Sequence, residues 1–421
     1  MASTEHLLIS KIIQTKDISK PLESGLRADH FSKEWAEVWL WINEYWMTHR
    51  IVPSARAFKQ QYGDLTLKDA ENEPFSGLIE ELYRSYKHKQ LTETVTNAVH
   101  SLKDINNTED TLKQLAQGVQ KASMEVAHLR DVDVIETWEA RLAEYEEIRK
   151  TPNALRGIPT GFNGLDRITS GLRPQQLITF VGEAKKGKSM ITLIMAEAAH
   201  RHGKRPLFVS FEMSIKEQQA RYDSLISGVP HTTLMQGTMS AVEMEKLSNA
   251  LKIRRNMQPF LFTEDTSSLT TVSALAARLQ RQEPSMLIVD GVYLMEDENG
   301  EPKGSAQALT NITRALKRLA QNFDIPIIGT TQVLAWKLGN KKSRQVTSDS
   351  IGYSSSFVQD SDVVLGVESD PDIDNQSIIR VVLARSAPKG EVRIKWDWEH
   401  IDFTEVGENE DSDGDSDNWY Y

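Results

Sequence analysis

The segment Gly182-Glu-Ala-Lys-Lys-Gly-Lys-Ser189 limits what this chain can fold into more than any other stretch. A glycine near each end lets the backbone wrap tightly, so that its N–H groups and the N-terminus of the following helix converge on an anion. The apolar run Leu177–Val181 precedes it and a helix-forming stretch follows it, the context in which this spacing acts as a phosphate-binding loop. Nucleotide contacts are expected from Gly182, Glu183, Ala184, Lys185, Lys186, Gly187, Lys188, Ser189 and Met190. Lys188 is expected to reach the β- and γ-phosphates, and the Ser189 hydroxyl to bind Mg²⁺. ATP and Mg²⁺ are the implied ligands. Lys185 and Lys186 either add charge to the loop or are simply solvated.

Such a loop belongs between a parallel strand and a helix, and the chain after Gly157 has the matching pattern. Short apolar runs (Leu177–Val181, Leu207–Phe211, Met286–Val289, Ile325–Gly329, Val363–Val367, Ile378–Leu383) alternate with longer helical segments. Three of the runs end in groups suited to phosphate chemistry. Asp290 closes Met286-Leu-Ile-Val-Asp290 and is placed to hold magnesium. Glu212 follows Val209-Ser-Phe and is placed to act as the general base for water attack. Its neighbourhood also reads as a helix start, because Ser214 and Glu217 form a capping box. Gln332 ends Ile327-Ile-Gly-Thr-Thr-Gln332 in an amide that can bond the γ-phosphate and relay its loss.

The remainder divides by composition. Phe31, Trp35, Trp39, Ile42 and Trp46 fall on one helix face, and we read them as the core of a small helical domain rather than a partner surface. Ile135, Trp138, Leu142 and Tyr145 form an apolar stripe on a charged helix ended by Thr151-Pro152-Asn153; the stripe needs cover from its own domain or from a neighbouring subunit. The net charge is −11, but Asp402 to Tyr421 carries eight acidic residues and no basic ones, leaving −11 + 8 = −3 elsewhere. Composition therefore neither supports nor excludes nucleic acid as a partner. The acidic run ends in Trp419-Tyr420-Tyr421, and an extended tail from Asp402 to Asn418 is expected to offer those aromatics to another protein or only to keep the chain soluble. No run is apolar and long enough to span a membrane, and the absence of cysteine fits a reducing cytoplasm without proving it.

The residues Gly157-Ile-Pro-Thr-Gly-Phe-Asn-Gly-Leu-Asp-Arg-Ile-Thr-Ser-Gly171, the loop Gly182–Ser189 and Phe211-Glu-Met-Ser214 together resemble the hexameric replicative helicases of the DnaB type. Ile312-Thr-Arg-Ala-Leu-Lys-Arg-Leu-Ala320, Thr331-Gln332 and Gln359-Asp-Ser-Asp-Val-Val364 extend the resemblance in order and spacing. It implies an α/β RecA-like ATPase domain with a mostly parallel central sheet, preceded by a small all-α N-terminal domain and a linker helix. The expected boundaries are a helical domain at 1–128, a linker at 129–156, a motor domain at 157–404 and an acidic tail at 405–421. It also implies a homo-hexamer on single-stranded and forked DNA, with ATP between neighbouring motor domains and the linker helix on the next subunit. Primase, a helicase loader, polymerase or single-strand-binding protein become candidate partners. The setting implied is the cytoplasm of a bacterium or phage-infected cell, and the short chain and divergent loops favour a phage.

Two departures from that family stand out. Its Lys-x-Arg pair, supplied across the subunit interface, aligns here with Leu383 and Arg385, so Arg385 takes the finger role and the lysine is missing or replaced by Lys389. Of its two central DNA loops, the first is acidic here (Glu296-Asp-Glu-Asn-Gly-Glu), and the second is basic. Trp336, Lys337, Lys341, Lys342, Arg344, Tyr353, Ser354 and Ser355 are the expected DNA contacts, by charge, backbone N–H groups and stacking.

Overall fold

All six apolar runs are strands. The computed structural model describes residues 3–63, 65–123, 133–151, 154–266, 270–332, 356–370, 373 and 375–406. Among these the strands are β1 (Leu177–Gly182), β2 (Pro206–Ser210), β3 (Leu261–Glu264), β4 (Met286–Asp290), β5 (Ile327–Gln332), β6 (Val363–Ser369), β7 (Gln376–Ala384), β8 (Glu391–Asp397) and β9 (Asp402–Glu405). They form one sheet in the order β3-β2-β4-β5-β1-β6-β7-β8-β9. From β3 to β6 the pairing is parallel; β7, β8 and β9 are added antiparallel.

Parallel strands are buried on both faces, which explains why β1, β2 and β4 are continuous apolar runs rather than alternating ones. The strand period of two still sorts their side chains. Ile178 and Phe180 join a core layer with Ile191 and Met195 of the helix Lys188–Arg201. Leu177 and Val181 join the opposite layer with Leu309, Ile312 and Leu316 of the helix Ala306–Phe323. The chain moves to one side of β1 for β2 to β5 and to the other for β6 to β9. A ligand crevice is expected at such a switch point, outside the carboxyl ends of the strands.

The chain divides into two compact units, Met1–Tyr145 and Glu146–Tyr421. In the first, Leu8, Ile9, Ile12 and Ile13 of the helix Thr4–Thr15 pack with Trp35, Val38, Trp39 and Ile42 of the helix Lys33–His49. Phe31 stacks on Trp39, and Trp46 is partly buried beside the same core, so the aromatic face is core as expected. On the linker helix Trp138–Lys150, by contrast, Trp138, Leu142 and Tyr145 are all exposed, as is Ile135 just before it. The described residues leave them uncovered.

The tail begins later than its charge suggests. Asp402–Glu405 is not extended in solvent: β9 pairs with β8, Phe403 is buried, and both Glu405 carboxylate oxygens accept the Gly164 N–H. Residues 407–421, including the aromatic tip, lie outside the described residues.

Candidate nucleotide-hydrolysis site

β1 ends at the loop Gly182–Ser189, and Gly187 takes a left-handed φ of 83° as the N-cap of the next helix. A Cβ there would come within 2.8 Å of the Phe403 ring and 3.3 Å of Trp398. Lys188 Nζ donates to the carbonyls of Gly182 (3.0 Å) and Glu183 (2.8 Å), which holds the ammonium within the loop. Burial lowers the pKa of Lys188, opposed by Glu212, Asp290 and Glu183 nearby. These three carboxylates and the lysine therefore share one site.

Asp290 is 1% exposed at the end of β4. Its Oδ1 accepts from Thr330 Oγ1 at 2.8 Å, and that hydroxyl accepts from Gly291 N at 2.8 Å. Among the described residues its Oδ2 has no hydrogen-bond partner. Burial pushes the Asp290 pKa up, and the hydroxyls of Ser189 and Thr330 pull it back. A buried carboxylate oxygen without a donor, facing a serine hydroxyl at a helix N-terminus, suits a divalent cation with oxygen ligands. Ser189 and Asp290 thus fit the magnesium role.

Glu212 leaves β2 beside Asp290, because Ser210 pairs with Asp290 and Phe211 N donates to the Asp290 carbonyl at 3.0 Å. Ser214 caps the following helix by accepting from Glu217 N at 3.3 Å. Glu217 itself bonds Arg221 at 2.7 Å, so the cap is one-sided and Glu212 is not needed for it. Instead Glu212 Oε1 accepts a hydrogen bond from the Tyr293 hydroxyl, which accepts from Gln332 Nε2 at 2.6 Å. Lys188, Ser189, Glu212, Asp290 and Gln332 are thereby gathered at the carboxyl ends of four neighbouring strands.

Arg385 is elsewhere. It follows β7, whose end Ala384 pairs with Val363 at the start of β6, whereas the phosphate loop's Gly182 pairs with Val367 further along β6. Four residue steps of strand separate the two levels, about 13 Å. Its guanidinium donates to the Gln359 carbonyl at 2.9 Å and pairs with Asp362 at 3.6 Å, leaving the side chain half exposed. At that separation it does not reach the phosphate loop of its own chain. Leu383 packs against the core, and Lys389 is exposed on the turn before β8.

Three of the four carboxylates of the acidic loop after β4 are engaged. Asp297 accepts from Asn299 N, Glu301 N and Asn311 Nδ2, Glu298 accepts from Ser273 N, and Glu296 pairs with Lys303. The expected DNA contacts Trp336, Lys337, Lys341, Lys342, Arg344, Tyr353, Ser354 and Ser355 all lie outside the described residues.

Reading the sequence missed three features of the site. Thr330 shares a strand face with Gln332 by the period of two, a signal that could have found it. Tyr293 had none, since it becomes relevant only through the turn after Asp290. Trp398 and Phe403, 4.9 Å apart beside Gly187, sit far away in sequence.

Three comparisons bear on this geometry. The DnaB-like helicase C-terminal domain family matches residues 157–405. The replicative DNA helicase DnaB of Geobacillus stearothermophilus is 25% identical over 352 residues, covering 80% of this chain and 77% of the relative. That of Leifsonia xyli subsp. xyli is 31% identical over 238 residues, 56% of this chain and 51% of the relative. The solved structure of a DnaB-like replicative helicase, described with its interactions with primase, superposes with a TM-score of 0.65 at 17% identity, covering 96% of this chain and 99% of the other. The chain belongs to the DnaB-like helicases.

Proposed function

We propose that the chain is an ATP-driven replicative DNA helicase that assembles as a ring of six around single-stranded DNA. The observation that carries this reading is the division of the site. Lys188, Ser189, Glu212, Asp290 and Gln332 gather at one end of the sheet, while Arg385 faces outward from the other end. A finger so placed serves a neighbour's site, which calls for head-to-tail association of like subunits, and a ring is the closed form of that association. The exposed stripe Ile135, Trp138, Leu142 and Tyr145 supports the same assembly, as the surface a neighbouring subunit covers.

In this reading the loop N–H groups and Lys188 bind the triphosphate, and Trp398 with Phe403 forms an aromatic wall for the nucleobase. Ser189 and Asp290 would hold magnesium, which would supply positive charge against the phosphate oxygens. Glu212 orients the attacking water and takes its proton as the bond to the γ-phosphorus forms and the bond to the bridging oxygen breaks, releasing ADP. The neighbour's Arg385 stabilises charge in the transition state. Gln332 senses the γ-phosphate and passes its loss to the basic segment that follows β5. That segment grips DNA. A nucleotide-stabilised scaffold would not need Glu212, and a recombination ATPase would not need the linker helix.

No helix among the described residues is long and apolar enough to cross a membrane. The cytoplasm of a bacterium or infected cell is the proposed setting, with primase, a loader, polymerase or single-strand-binding protein as fork partners. The test is ATP hydrolysis measured with and without oligo(dT). Stimulation by DNA in the parent and loss of turnover in Lys188→Ala are expected; equal rates with and without DNA would overturn the reading.

A further inference from the structure

We infer that Tyr293 is the positioning residue of the hydrolysis site, holding the Glu212 carboxylate and tying it to Gln332 so that the base answers to the loop that grips DNA. This rests on the roles proposed above for Glu212 and Gln332. The geometry behind it is a three-member chain: Gln332 Nε2 donates to the Tyr293 hydroxyl at 2.6 Å, and that hydroxyl donates to Glu212 Oε1. A phenol has one proton to give. While Gln332 occupies its oxygen, that proton is committed to Glu212.

The backbone is shaped for this contact. Tyr293 lies in the single turn Val292–Leu294, entered through Gly291 at φ 97°. A Cβ on Gly291 would lie 3.5 Å from Phe211 Cβ and 3.6 Å from Glu212 Cγ, ordinary contact distances, so the left-handed backbone is what calls for glycine. Gly291 N is tied to Thr330, two residues before Gln332 on β5. The turn is thus clamped between β2's exit and β5, and the tyrosine can reach both. The charged groups facing the phenol are Glu212 and Asp290, and with burial they keep it protonated, its pKa pushed well above that of free tyrosine.

The chain also joins the right places in sequence. Tyr293 stands three residues before the acidic loop that starts at Glu296, and Gln332 immediately precedes the basic segment. The turn that leads into the acidic loop and the end of β5 therefore meet at the base through one hydroxyl. A shift of Gln332 alters what Tyr293 accepts, and with it how firmly Glu212 is held.

Steady-state ATPase of the full chain, with and without oligo(dT), tests this. Tyr293→Phe keeps the ring and removes the hydroxyl. We expect KM for ATP to stay within about twofold, while DNA-stimulated kcat falls on the order of 10- to 100-fold. The ratio of stimulated to basal turnover should fall towards one. Combining Tyr293→Phe with Gln332→Ala should add little to the larger single effect, as expected for links of one chain. Parental kcat and parental DNA stimulation in Tyr293→Phe would overturn the inference. Glu212→Gln separates the two levels: if it hydrolyses ATP at the parental rate, the assignment of the base fails. If it is inactive while Tyr293→Phe is normal, only the role of Tyr293 fails.

Discussion

Replacing Thr330 by valine removes one oxygen and keeps the shape of a side chain that is 2% exposed. Two hydrogen bonds of 2.8 Å go with it, one to Asp290 Oδ1 and one from Gly291 N. A bond to a charged group contributes about 1.5–3 kcal/mol, and a stranded buried amide costs about 1–3 kcal/mol. Together the loss is about 3–5 kcal/mol. For a unit of this size that lowers Tm by roughly 6–15 °C. The loss depends on pH, with a definite sign. Burial raises the Asp290 pKa above its ordinary 3.8, so its contribution to stability is full below that value and lost as pH rises through the folded-state pKa. Removing the Thr330 donor raises the folded-state pKa further, so the variant should suffer more at the alkaline end of the pH range in which both proteins fold than at its acid end. Thermal unfolding followed by circular dichroism at both ends of that range, with Thr330→Ser as the control that keeps the hydroxyl, is the assay. A Tm drop under about 2 °C, or equal drops at both ends, would refute the reasoning.

Glu212→Gln should retain nucleotide binding and stop turnover, read by fluorescent-nucleotide titration beside an ATPase assay; lost binding would contradict a role confined to the water. Arg385→Ala should cost about 10³–10⁵ in turnover, and mixing it with Lys188→Ala subunits should restore part of the ATPase, because some interfaces then carry neither defect. No recovery from rings of normal size would count against a finger acting in trans. Asp166, which accepts from Thr160 N at 2.9 Å, has a carboxyl that burial pushes up to about 6. Stability should therefore fall as pH rises from 3.8 towards about 6, and Asp166→Asn should flatten that slope in urea titrations; an unchanged slope removes Asp166 as its source.

The phosphate loop, the parallel strands and their terminal groups Asp290, Glu212 and Gln332 were legible because each depends on a local pattern, an apolar run closed by a polar side chain. Thr330 and Tyr293 were not, because their roles arise from the pairing of β4 with β5 and from a left-handed turn at Gly291. β8 carries the alternating Glu391-Val-Arg-Ile-Lys-Trp-Asp397, a plain strand signal overshadowed by the acidic run that follows it. That same run drew Asp402–Glu405 into the expected tail, although Phe403 and the Glu405–Gly164 contact fasten those residues to the sheet. Charge density identifies a solvated tail only where no apolar anchor interrupts it. The motif Gln359–Val364 proved to be architectural: Ser361 bonds Thr179, and Asp362 accepts from Leu177 N and Lys317, tying the sheet together at the end remote from the phosphate loop.

The central claim is that hydrolysis at this site drives separation of DNA strands. The direct measurement is release of a fluorescent strand from a forked duplex, followed in time with ATP and Mg²⁺. The account predicts ATP-dependent release by the parent chain, and none by Glu212→Gln assembled into rings of the same size. Release by Glu212→Gln at the parental rate, or hydrolysis by the parent without any strand release, would contradict it.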